Sequence, residues 1–312
     1  MDRIRITNKE PSPVLVVGSV GYDDIETPFS ADKKILGGSA SYACLAASYF
    51  APTRMVGVVG NDFATKDLDR LKAHDIDLTG LQVDESGPTF YWSGKYLEQF
   101  KERETLDIQL NVFEKFQPVL PEEYQQSPYV LLGNIHPALQ KSVLDQLKNK
   151  DAFVAVDTID LWIKTERKAF LDLIREIDLL VINDSEAELL TDKNNMIEAG
   201  RALRELGPQR VVVKKGEHGA YLFHENGIFT LPAYPVTELH DPTGAGDSFL
   251  GAAMGTLAAL GKHDLPSLKK ALLYGTAVAS LTVEAFSCNR LESAGPSTIQ
   301  ERVKTLQEMV AI

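Results

Sequence analysis

Asp241-Pro242-Thr243-Gly244-Ala245-Gly246-Asp247-Ser248-Phe249 decides the reading of this 312-residue chain, together with the small-residue run 251–260 (GAAMGTLAAL) behind it. Pro242 and two glycines predict a tight turn, and the turn runs straight into a helix whose first N–H groups have no intrahelical partner. Such a helix start attracts anions, because the glycines admit a ligand to the bare backbone and the helix dipole adds about half a positive charge there. Asp247 places a carboxylate at the same point. A hydroxyl hydrogen-bonded to it would lie beside a bound phosphate, which is the arrangement phosphoryl transfer needs: positioning, electrostatic stabilisation and a proton acceptor. The segment taken alone also fits an aspartate-capped helix after a glycine turn, with no chemistry.

Working outward, residues 14–17 (VLVV), 55–59, 129–132, 153–156, 179–182 and 211–213 are short apolar runs of the kind buried on both faces of a parallel sheet. Helical patterns lie between them at 38–49, 64–73, 137–147, 168–176 and 195–206. The alternation predicts βαβ crossovers and helices on both faces of one sheet. Residues 88–111 break the rhythm, alternating aromatic or apolar with polar residues. They are expected to form half-exposed antiparallel strands that, with residues 22–34, make a small sheet standing off the main layer as a lid. Helices return at 249–260 and 268–283, and a last one is expected to open at Ser297, with Gln300 in capping-box register and Ile299, Val303, Leu306 and Val310 as its buried stripe. The expected organisation is a single α/β domain over 1–312.

The net charge of −12 disfavours nucleic acid and anionic membrane as partners, while leaving a small anion free to bind through local donors. The two cysteines, Cys44 and Cys288, have neither disulfide-framework nor zinc spacing, and no apolar run reaches the length of a membrane span; a cytoplasmic location fits. No GxxxxGK[ST] loop, HExxH or complete GxGxxG is present.

The stretch from Asp241 to Met254 resembles, position by position, the C-terminal signature of the ribokinase-like (PfkB) sugar kinases. That resemblance implies a mostly parallel sheet with a small β lid, ATP and Mg²⁺ as nucleotide and metal, Asp247 as catalytic base and Gly244, Ala245 and Gly246 as the anion hole. Other patches are similar to the family in the same order. Asp23, after the first strand, matches an aspartate that binds sugar hydroxyls, and Gly37-Gly38 matches the Gly-Gly substrate loop. Asn183-Asp184-Ser185-Glu186 matches the motif that organises Mg²⁺ and its waters, with Glu186 acting through water and Asn183 beside the nucleotide. Read alone, that tetrapeptide is a helix cap. Lys214, Lys215, Gly216 and Gly219 match the loop lining the nucleotide, where a lysine would meet a phosphate.

Ser39 and Tyr42 stand where ribokinases carry lysine and asparagine, so the polar grip on free ribose is altered; Tyr42 would stack on a base or pack. Trp92, with Phe90 and Tyr91 in the lid, and Asn134 after its strand are candidates for substrate contact, and Arg103 for a phosphate. The family also implies a monovalent cation (K⁺) site beside Asp241 and Thr243. The acceptor implied is a small sugar, with a nucleoside as the alternative and a non-catalytic sugar or nucleotide binder as the rival from another class. A homodimer joined through the lid is expected, because so aromatic a sheet needs covering.

Overall fold

The computed structural model describes residues 3–97, 100 and 103–311. Residues 98, 99, 101 and 102 of the expected lid segment, and 1, 2 and 312 of the expected domain, lie outside the described residues. The strands are β1 (Val14–Val17), β2 (Gly21–Glu26), β3 (Ala31–Gly37), β4 (Thr53–Gly60), β5 (Ile76–Asp84), β6 (Phe90–Tyr96), β7 (Arg103–Gln109), β8 (Tyr129–Leu132), β9 (Phe153–Asp157), β10 (Leu179–Asn183), β11 (Arg210–Lys214), β12 (Ala220–His224) and β13 (Gly227–Leu231). The helices are α1 (Ser39–Ser48), α2 (Thr65–Ala73), α3 (Pro137–Gln146), α4 (Asp160–Thr165), α5 (Arg167–Leu173), α6 (Asp184–Thr191), α7 (Met196–Glu205), α8 (Ala245–Leu260), α9 (Leu265–Thr282), α10 (Asn289–Ser293) and α11 (Pro296–Val310).

One sheet runs β13-β12-β11-β10-β9-β8-β1-β4-β5, parallel except at the β11–β12 and β12–β13 pairings. Its central strands are apolar on both sides because both sides are covered. Leu15, Val17, Val130, Leu132, Val156, Ile182 and Val213 enter one core with α3, α5, α6 and α7. Val14, Val16, Leu131, Ala155, Val181 and Val212 enter the other with α1, α8 and α9. The small residues of α8 have a packing cause: a Cβ at Gly251 would strike the Ala43 carbonyl, and one at Gly255 would lie 2.7 Å from that of Ala47. Helices α1 and α8 thus lie backbone to backbone.

A second sheet runs β3-β2-β6-β7. It is mixed, because β2 and β6 pair in parallel while β2–β3 and β6–β7 are antiparallel. Each of β2 and β6 follows a strand of the large sheet, β1 and β5, that points the same way, so the two leave it in one direction.

Three sequence expectations change. Helix α11 begins at Pro296 after Gly295, with no side-chain cap, so the Ser297–Gln300 box does not form. Its stripe ends at Leu306, for Val310 is 48% exposed. Strands β5, β12 and β13 were not anticipated; β5 alternates buried and open positions at the sheet edge and so lacks a continuous apolar run. Both cysteines are free and buried. No helix among the described residues is long and apolar enough to cross a membrane.

Candidate active site

The chain emerging from β1 turns into the small sheet, and β1 is flanked by β4 on one side and β8 on the other. This is a switch in strand order, and open α/β sheets bind ligands in the crevice beyond the carboxyl ends of the strands at such points. Most of the residues singled out from the sequence stand at these strand ends or in the segments that follow them.

Gly244 caps α8 in the left-handed conformation (φ 74°), and a Cβ there would enter the Tyr42 ring. No side chain caps the helix start. The Ala245 amide donates to the Pro242 carbonyl and the Ser248 amide to that of Gly244, while the Gly246 amide has no backbone acceptor among the described residues and the Asp247 amide faces its own carboxylate. Asp247 therefore lies inside the first turn and is not the helix cap. Burial first, then the negative charge of Asp157, push its carboxyl up to about 7, against the opposing pull of Lys214. Beneath the turn, Asp241 accepts from the Thr243 amide at 2.9 Å while its other oxygen, Oδ2, is buried with no partner. Burial raises its carboxyl to about 6.

On the opposite wall, Gly38 (φ 91°) starts α1, with no room for a side chain beside the Ser19 carbonyl. Reciprocal bonds fix this loop to the end of β1: Ser39 N–H donates to Ser19 Oγ (3.0 Å) and Ser19 N–H to Ser39 Oγ (3.1 Å). The carboxylate of Asp23 lies directly against Gly37 and is 4% exposed. It accepts no hydrogen bond from another described residue, and burial followed by the charges of Asp241 and Asp247 raises it to about 8. Asp23 pairs in register with Trp92, so both side chains stand on one face of the small sheet. Tyr96, four residues further along β6, is on that face too, and its hydroxyl meets Thr243 Oγ1 at 2.9 Å. The face therefore looks onto the anion turn. Trp92 lies over Gly94, with the Arg103 guanidinium 5.2 Å from its ring centre.

Two expected contacts are placed differently. Tyr42 is 1% exposed, with its ring under Gly244; it supports the turn and offers no face to a ligand. Gly219 is buried, and a side chain there would strike the Leu231 carbonyl, so its glycine has a packing cause within the β11–β13 hairpins. Asn134 follows β8 at the crevice, but its Oδ1 accepts from Trp162 Nε1 at 2.8 Å.

Asn183 ends β10 and caps α6 in a full capping box: its Oδ1 accepts from Glu186 N–H (2.8 Å), and Glu186 Oε2 accepts from Asn183 N–H (2.9 Å). The cap and the expected site residue are thus the same group. Glu186 is 6% exposed, and burial lifts its carboxyl to about 7 in spite of nearby Lys214. Lys214, on the next strand, reaches across to Asp157 at the end of β9 (3.2 and 3.3 Å to the two oxygens). Burial opposes its charge, yet Asp157, Glu186 and Asp247 hold its ammonium above the ordinary lysine value. Lys215 is half-buried, and Gly216 (φ 51°) is open to solvent. Asp157 was missed in the sequence; an aspartate closing a buried apolar strand (FVAVD) was the signal available.

Residues 14–294 match the model of the pfkB family carbohydrate kinases. The chain belongs to this family. Its kinases are phosphotransferases that use a hydroxyl as acceptor. Among curated relatives, the chain is 30% identical over 246 residues to a cytidine kinase of Thermococcus kodakarensis, covering 76% of this chain and 86% of the relative. It is 27% identical over 238 residues to a 2-dehydro-3-deoxygluconokinase of Thermoproteus tenax, covering 70% and 72%. Among solved structures, a putative ribokinase II of E. coli in complex with ATP and Mg²⁺ superposes with a TM-score of 0.78 at 20% identity, over 94% of this chain and 99% of the other. A nucleoside kinase of Burkholderia thailandensis in complex with inosine gives 0.78 at 20%, over 94% and 98%. These likenesses confirm the expected ribokinase-like fold.

Proposed function

We propose that this PfkB-family protein transfers the γ-phosphoryl of MgATP to a hydroxyl of a small sugar, with Asp247 as the general base. The observation that carries this reading is the pairing of Asp247 with an uncapped helix start at which the Gly246 amide has no backbone acceptor. A base works best with a pKa near the working pH, and burial brings the Asp247 carboxyl to about 7. The turn Gly244-Ala245-Gly246 forms the anion hole, with the Gly246 amide as the donor not already used by the turn, toward the charge that develops on the transferring group. Asp23, against Gly37, has a carboxyl group free to hydrogen-bond the hydroxyls of the acceptor, with Gly38 next in the same loop, and Trp92 faces it from the small sheet.

The residues on the nucleotide side fit Mg²⁺ and ATP: Gly246 carries no side chain at the helix start and has the Lys214 ammonium beside it, and Asn183, Lys214, Lys215 and Gly216 stand at the ends of β10 and β11. Glu186 would hold the metal through water, with Asn183 adjacent. Mg²⁺ bound with the nucleotide would neutralise phosphate charge. The orphaned Asp241 Oδ2, with Thr243 beside it, fits a monovalent cation such as K⁺.

We assign the small sheet the role of a lid on one functional domain, excluding water from the acceptor. We also assign it the contact of a homodimer, since Leu106 and Ile108 on its edge strand β7 are 55% and 52% exposed. The proposed setting is the cytoplasm. A nucleoside acceptor is the second reading, supported by the cytidine kinase relative and by the indole of Trp92 facing the crevice. A purely binding role is the third, and a carboxylate kept beside an anion hole speaks against it. ATP consumption across a panel of sugars, sugar acids and nucleosides tests the three: turnover of a sugar, turnover of a nucleoside, or none.

A further inference from the structure

Asp157 and Lys214 belong to strands separated by β10, yet their side chains meet across it at the carboxyl ends. Lys214 and Asp157 keep only 19% and 9% of their side-chain surface exposed. A buried ion pair adds little net stability compared with apolar packing, so its presence here asks for another reason. The third neighbour supplies one. A Cβ on Gly246 would lie 2.8 Å from Lys214 Nζ and 4.0 Å from Asp157 Oδ2. The ammonium therefore touches the first turn of α8 at the position where that turn carries no side chain.

We propose that Asp157 is a positioning residue that acts through Lys214: it holds the ammonium under Gly246, where the cation meets the terminal phosphate of the nucleotide. This deepens the kinase reading and rests on it. An ammonium has three donors, and the two contacts to one carboxylate leave capacity for a phosphate oxygen. A free lysine would lose much side-chain freedom on reaching that point, and the Asp157 contact has already fixed it there. Glycine at 246 is then needed to keep the path between the ammonium and the anion turn clear.

The test measures binding of MgATP and MgADP by calorimetry to the wild type and to Asp157→Asn, Asp157→Glu, Lys214→Met, Gly246→Ala and the double variant Asp157→Asn/Lys214→Met. The preference for MgATP over MgADP should fall at least about 5-fold in Asp157→Asn and in Lys214→Met, with the double variant no worse than Lys214→Met because the two act as one unit. Asp157→Glu should recover part of the preference. Gly246→Ala removes no charge and puts a methyl group 2.8 Å from the ammonium, so it should show the same loss and serves if Asp157→Asn folds poorly. An unchanged MgATP preference in Asp157→Asn and Gly246→Ala, or additive losses in the double variant, would overturn the inference while leaving the kinase reading intact. A wild type that binds no MgATP would overturn both.

Discussion

Replacing Asp23 by Asn should stabilise the protein increasingly as the pH rises. Asp23 is 4% exposed, accepts no hydrogen bond from another described residue and has Asp241 and Asp247 nearby, so its carboxyl is raised from 3.8 to about 8. The folded state therefore keeps a proton that the unfolded chain sheds near pH 4. Stability from this group is complete below the unfolded value and is lost as pH rises toward the folded one, by up to 1.36 kcal/mol per unit. Between pH 5 and pH 8 the loss amounts to about 2–4 kcal/mol, the lower figure applying if the field is shared with the neighbouring carboxylates. Asparagine does not titrate. Urea unfolding of wild type and Asp23→Asn at pH 5 and pH 8 gives the double difference, in which titrating groups not coupled to Asp23 cancel. The variant should gain about 2 kcal/mol or more relative to wild type at the higher pH. A difference independent of pH would refute the assignment of Asp23 as a buried, unpartnered carboxyl.

Glu186→Gln keeps a side chain able to complete the capping box, so stability should hold while the apparent Mg²⁺ requirement rises; an unchanged Mg²⁺ titration with lowered stability would reduce Glu186 to a cap. Trp92→Ala should raise KM for the acceptor, or loosen a dimer seen by sedimentation, with MgATP binding nearly intact; a monomeric wild type together with unaltered acceptor kinetics in the variant removes both roles. Gly251→Val, which drives a side chain into the Ala43 carbonyl, should destabilise by about 1–3 kcal/mol or more and disturb the pairing of α1 with α8; a melting temperature equal to wild type would contradict that close contact.

The large sheet was legible because its inner strands are buried on both faces and are written as uninterrupted runs such as VLVV and LLVIN. The edges were not: β5 is half-open, and the β12–β13 hairpin follows a charged turn that hides the strand pattern. The anion turn was readable from local chemistry, since turn, glycines and helix start are contiguous. The partnership of Asp157 with Lys214 was not, because 57 residues and an intervening strand separate groups that only the sheet order brings together. Tyr42 stood between two readings, stacking on a base and packing. An aromatic near a substrate loop invites a stacking role, but the glycine at 244 has no side chain of its own, and the ring fills that space from below.

The most direct test of the central claim is the turnover of Asp247→Asn with MgATP and the acceptor that the wild type phosphorylates fastest. Asparagine is nearly isosteric and a much weaker base, so the fold and MgATP affinity should be retained while kcat falls at least about 100-fold. Wild-type turnover by the folded variant would contradict the role of Asp247 and with it the mechanism built on this site.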